Sequence, residues 1–128
     1  MISGGNATIY VSDMGRAVRF YVETLGFKLL ERAGDAGQER WASVDAGGGF
    51  VLGLHPAQAA HPGGPAPGTA GSISIGFGLN QPIDEVVEVL QNRGVVFHGP
   101  VRADGPVKLA FFGDPDGNAL YLAENARA

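Results

Sequence analysis

Cysteine is absent from this 128-residue chain, which removes disulfides, thiolate metal sites and thiol nucleophiles from consideration. Basic charge is sparse. Only 9 Lys and Arg stand against 13 Asp and Glu, for a formal net charge of −4, and they form no run or stripe. Such stripes are what release counterions from a phosphate backbone, so no nucleic-acid partner is expected. No stretch approaches the roughly 18 apolar residues of a membrane span, and Met1-Ile2-Ser3-Gly4-Gly5 has neither the basic nor the apolar part of a secretion signal. A soluble, cytoplasmic chain with no membrane partner is the expectation. Without a secretion signal, the sequon-like Asn6-Ala7-Thr8 reads as chance.

What is present is an ordinary globular balance, 45% hydrophobic and 17% charged, in a chain long enough to bury about two-thirds of its unfolded surface. It is also internally duplicated. Displaced by 68 residues, Val18 falls on Val86, Gly26 on Gly94, Gly37 on Gly105, Ala42 on Ala110, Gly49 on Gly117, Leu52 on Leu120 and Leu54 on Leu122, with no gap. These identities sit at breakers and at candidate core positions, where a repeated supersecondary unit would need them.

Each copy opens with a strand. Ala7, Ile9 and Val11 alternate with Asn6, Thr8 and Tyr10, while Ile73, Ile75, Phe77 and Leu79 alternate with Ser72, Ser74, Gly76 and Gly78. A helix follows. Asp13 can cap Met14, Ala17, Val18, Tyr21 and Leu25 before Gly26; Pro82 suits the first turn of Ile83, Val86, Val87 and Leu90 before Gly94. Three extended stretches are then expected in each copy, at about 27–32, 39–46 and 49–55, and at about 95–99, 107–112 and 118–123. Gly34-Asp35-Ala36-Gly37, Gly47-Gly48-Gly49, Ala103-Asp104-Gly105-Pro106 and Asp114-Pro115-Asp116-Gly117 separate them as turns. The pattern predicts an α+β fold of two βαβββ modules in one domain spanning 1–128. The first module covers about 5–55, a linker 56–71, and the second module about 72–124. Rich in Pro, Ala and Gly, the linker reads as a connecting loop, with a mobile lid as the alternative.

Val11-Ser12-Asp13 leading into Ala17-Val18-Arg19-Phe20-Tyr21 and Leu25-Gly26-Phe27, then Arg93-Gly94-Val95 and Phe112-Gly113-Asp114-Pro115-Asp116-Gly117-Asn118, resemble the vicinal oxygen chelate superfamily. That superfamily includes glyoxalase I, bleomycin-resistance proteins and extradiol dioxygenases. The resemblance covers nearly the whole chain. It implies curved mixed sheets with helices on the convex side, a ligand enclosed on the concave side, and a homodimer. In glyoxalase-like members it also implies a metal held by His, Gln or Glu from the first and last strand of each module.

Carried onto this chain, the four metal positions fall on Asn6, Gly53, Ser74 and Tyr121. None is His, Glu or Asp. Neutral amide and hydroxyl oxygens bind first-row divalent ions weakly, and glycine offers no side chain, so neither a metal nor another cofactor is expected. His55, His61 and His98 match no ligand spacing. If strand parity holds, the concave face carries Asn6, Thr8, Tyr10, Val51, Gly53, His55, Ser72, Ser74, Gly76, Gly78 and Tyr121, with Trp41 and Ser43 from the third strand. Glycine and serine make room, and aromatics give flat apolar area with a polar handle, a mixture suited to a small organic ligand. The competing reading is that Gly76 and Gly78 serve close strand packing and Trp41 belongs to the core.

Two functions remain open at this point. One is a metal-free small-molecule binding protein of the bleomycin-resistance kind, sequestering an antibiotic or natural product. The other is a lyase, isomerase or dioxygenase-related enzyme, working through Tyr121 and His55 or an unconventional metal. A phenol is a poor base unless a cation lowers its pKa. Lys108 is the nearest cation in sequence, although solvent exposure is its ordinary reading.

Overall fold

In the computed structural model, the described residues are 1, 6–35, 38–57 and 74–125. They belong to two compact units, Met1–Pro67 and Gly68–Ala128. In the first, strand β1 (Ala7–Val11) leads through Asp13 into helix α1 (Met14–Arg19). The Asp13 carboxylate accepts the Arg16 amide at 3.0 Å, satisfying one of the donors that a helix start leaves unpaired. The helix then widens into a π-helical segment, Phe20–Thr24, closed by the Leu25 amide on the Phe20 carbonyl at 3.0 Å. Gly26, at φ 80°, ends it. Strands β2 (Lys28–Asp35), β3 (Gln38–Asp45) and β4 (Val51–Pro56) complete the unit. The sheet runs β1-β4-β3-β2, with β1 parallel to β4 and the other pairs antiparallel.

The second unit repeats this plan. Strand β5 (Ser74–Gly78), helix α2 (Ile83–Asn92) and strands β6 (Arg102–Asp104), β7 (Val107–Gly113) and β8 (Ala119–Asn125) form a sheet ordered β5-β8-β7-β6. The 68-residue offset survives in the pairing. Ala7 faces Leu52 as Ile75 faces Leu120, Thr8 faces Gly53 as Gly76 faces Tyr121, and Ala42 faces Leu54 as Ala110 faces Leu122.

Each sheet buries one face under its helix. In the first unit Ile9, Val11, Ala42, Val44, Leu52 and Leu54 are buried with Ala17, Val18 and Tyr21, and α1 packs on β3 and β4. In the second, Ile75, Phe77, Ala110, Phe112, Leu120 and Leu122 join Ile83, Leu90 and Val95, with α2 on β7 and β8. Because successive strand residues point to opposite sides, the alternate positions occupy the open face of each sheet.

Three expectations need correction. The sixth strand is not at 95–99 but at Arg102–Asp104. The His98 amide makes one bond to the Phe111 carbonyl at 2.7 Å, and then Gly99, at φ 97°, and Pro100 interrupt the ladder. Proline has no amide to donate and the glycine turns the chain away, so His98 precedes the strand rather than ending it. The strand ends instead in a two-residue hairpin turn, Gly105-Pro106, with Asp104 facing Val107 and Gly105 at φ 60°. Strand β2 extends to Asp35, taking Gly34-Asp35 out of the expected turn and into register with Glu39 and Gln38. Pro56 closes β4 opposite Val11 rather than opening the linker. The linker from residue 58 onward, including His61, and Ser72 lie outside the described residues.

Candidate functional site

The open face of the first sheet is built around glycine 53. Thr8 and Ser43 flank it across the sheet on β1 and β3. A side chain at position 53 would collide with Trp41, since a Cβ there would lie 2.1 Å from Cη2 and 2.7 Å from Cζ3 of the indole. The half-buried Trp41 ring therefore lies across the backbone of Gly53. Ser43, beside them, is 3% exposed, and its hydroxyl has no hydrogen-bond partner among the described residues. At the other end of the face, Tyr10 and His55 pair across β1 and β4, their rings edge to face with centroids 6.0 Å apart. The His55 Nδ1 lies 2.9 Å from the Pro56 carbonyl oxygen. A carbonyl only accepts, so Nδ1 carries the hydrogen, and in the neutral ring Nε2 is left as the acceptor.

The second sheet has a matching arrangement with the partners exchanged. Tyr121 on β8 faces Gly76 on β5, and a Cβ at Gly76 would lie 2.2 Å from the tyrosine Cζ and 2.5 Å from its hydroxyl. The phenol thus lies over Gly76. Phe111, facing Tyr121 from β7, holds its ring centroid 5.7 Å from that of the tyrosine. The Arg102 guanidinium caps the row from β6, 4.8 Å from the Phe111 ring centroid. Gly78 has no atom near its Cβ position, so of the glycines expected to make room, Gly53 and Gly76 are filled by the chain's own rings.

Of the expected ligand-face residues, Thr8, Tyr10, Trp41, Gly53 and His55 share the first sheet, and Ser74 and Tyr121 the second. Asn6 is exposed, one residue before β1, and Ser74 is exposed at the start of β5. Lys108 is on the wrong side of its strand to assist Tyr121: it alternates with Leu109 and Phe111 and faces Glu124. Arg102 and Phe111 are the residues that sequence reasoning missed. The signal for Phe111 was its place 68 residues after Ser43. Arg102 gave none, because its strand was expected elsewhere.

The donor set does not fit a divalent metal. Asn6 and Ser74 offer neutral oxygens, Gly53 offers none and is covered by indole, and Tyr121 spends its ring on Gly76. Among the described residues, no three His, Asp or Glu come together as a metal-holding group. No helix among them is long and apolar enough to cross a membrane.

Comparison with known proteins agrees with this architecture. The crystal structure of TnmS3, an antibiotic binding protein from Streptomyces sp. CB03234, is 31% identical over 98% of both chains, with a TM-score of 0.77. The structure of a member of the glyoxalase/bleomycin resistance protein/dioxygenase superfamily from Sphaerobacter thermophilus is also 31% identical over 98% of both chains, at a TM-score of 0.78. Virulence protein STM3117 of Salmonella typhimurium is 32% identical over 118 residues, covering 89% of this chain and 78% of its own. A family model for the Glyoxalase/Bleomycin resistance protein/Dioxygenase superfamily matches residues 5–122, and the chain belongs to that superfamily.

Proposed function

We propose that this chain is a metal-free small-molecule binding protein that sequesters an antibiotic or natural product without converting it. One observation carries the reading. At both last-strand positions of the family's metal site, 53 and 121, an aromatic ring stands in place of a ligand, Trp41 over Gly53 in one sheet and Tyr121 over Gly76 in the other. An aromatic ring packed against a strand offers stacking area at little entropic cost, which suits a planar organic ligand and not a cation's coordination shell. The likeness to TnmS3, an antibiotic binding protein, supports the same class. A thermal-shift screen over planar aromatic antibiotics and metabolites tests it, because a ligand that binds the folded chain raises Tm by mass action. Stabilisation by at least one compound, recovered unchanged after incubation, is the expected result. Turnover of the stabilising compound would sink the proposal.

A second reading, a lyase or isomerase acting on a small substrate, is favoured by His55 alone. Its Nδ1–H on the Pro56 carbonyl presents Nε2 as a proton acceptor. Under this reading His55→Ala abolishes turnover and Tyr121→Phe reduces it; normal turnover in both variants rejects it. We further propose a cytoplasmic chain, which the absence of cysteine fits, and a homodimer, on the family resemblance. Light scattering at twice the 13.2 kDa chain mass is the expected result for the dimer.

A further inference from the structure

We infer that Arg102 is an anion anchor, so that the ligand held on the second sheet is a flat aromatic carboxylate rather than a neutral ring. The inference rests on the small-molecule reading above and narrows it. Each of the four strands contributes one residue to the row: Gly76 from β5, Tyr121 from β8, Phe111 from β7 and Arg102 from β6. The phenol rests on Gly76, the phenyl stands 5.7 Å beside it, and the guanidinium lies over the phenyl at 4.8 Å.

That stack occupies one side of the guanidinium and leaves its N–H edge uncommitted. Among the described residues the Arg102 side chain makes no hydrogen bond or ion pair, and neither does that of Asp104, two residues along the same side of β6. An arginine pre-oriented on an aromatic platform loses less freedom when it binds, and its planar fork matches a carboxylate in two parallel bonds. A ligand ring stacked on the outer side of Tyr121 would sit in the same layer as the guanidinium over Phe111. A carboxylate on that ring's edge then points at the fork. Among the described residues of this unit Lys108 does not compete, since it is on the other side of the sheet.

The probes are 2-naphthoate and its neutral isostere 2-naphthamide, titrated calorimetrically against the full chain. The expected result is naphthoate binding about tenfold tighter than the amide, with Arg102→Ala removing most of that difference and weakening the amide far less. A tenfold ratio is a modest value for a charge-assisted, solvent-accessible pair. Arg102→Lys, which keeps charge without the fork, should recover only part of the difference, and added salt should weaken naphthoate alone. Arg102 is exposed, so an unchanged Tm of the free variants is expected and separates recognition from folding. Equal affinity of the two probes for the unaltered chain, or equal loss of both in Arg102→Ala, overturns the anchor while leaving the binding protein intact. Failure of both probes overturns it too; if the wider aromatic screen is also empty, the broader reading falls with it.

Discussion

An alanine at position 53 would set its Cβ 2.1 Å from Trp41 Cη2, nearer than any real contact, so the indole must move. Trp41 is the only tryptophan in the chain, which makes its emission a direct reporter. Gly53→Ala should shift the emission maximum and cost about 1–3 kcal/mol in urea unfolding, the range for forced overpacking; an unchanged spectrum would mean that the ring does not rest on that backbone. Asp114 carries a different kind of load. Buried at 7% exposure, its carboxylate accepts the Asp116 amide, the Asn118 amide and the Asn118 side-chain amide, each at 2.9 Å. Asp114→Ala strands those donors and should cost about 3 kcal/mol in the same measurement. The segment Asp114-Pro115-Asp116-Gly117, legible in the sequence as a turn, is thus also a buried polar knot that ties β7 to β8.

At the scale of elements, alternation and punctuation were enough to find seven of the eight strands and both helices, because half-buried strands and amphipathic helices write their periods directly into residue order. Strand β6 escaped for a physical reason. Val95 and Phe97 are apolar and packed, Phe97 against Phe112 with centroids 5.3 Å apart, yet they feed the core without joining the ladder. Arg102–Asp104 is exposed throughout and is held extended by its hairpin alone. The face residues were legible by parity, whereas the rings lying over Gly53 and Gly76 were not, since a glycine reads the same whether its space is empty or filled. Helix α2 shows another contact invisible in residue order. Its N-cap, Pro82, has no side-chain bond to give, and the Ile83 amide is satisfied at 2.7 Å by the Glu124 carboxylate from β8, 41 residues away. The negative charge also opposes the positive end of the helix. Glu124→Ala should therefore cost about 1 kcal/mol, read as a fall in the urea midpoint with no change in slope.

For the whole molecule, the net charge of −4 would attract divalent cations only diffusely, and the neutral donors at the four family positions give them no seat. Chain purified without an affinity tag and dialysed should carry no stoichiometric divalent ion by elemental analysis. Excess zinc, cobalt or nickel should leave Tm unmoved, because only an ion that binds the native state shifts it. A stoichiometric ion surviving dialysis would contradict the proposal. The Trp41–Gly53 contact also bears on redesign. A carboxylate introduced at position 53 would meet the indole before it met a metal, so a ligand there requires the Trp41 ring to move aside. Metal chemistry is thus several changes away rather than one: Asn6, Ser74 and Tyr121 would still supply no carboxylate or imidazole, and at position 53 the new side chain would first have to displace a ring.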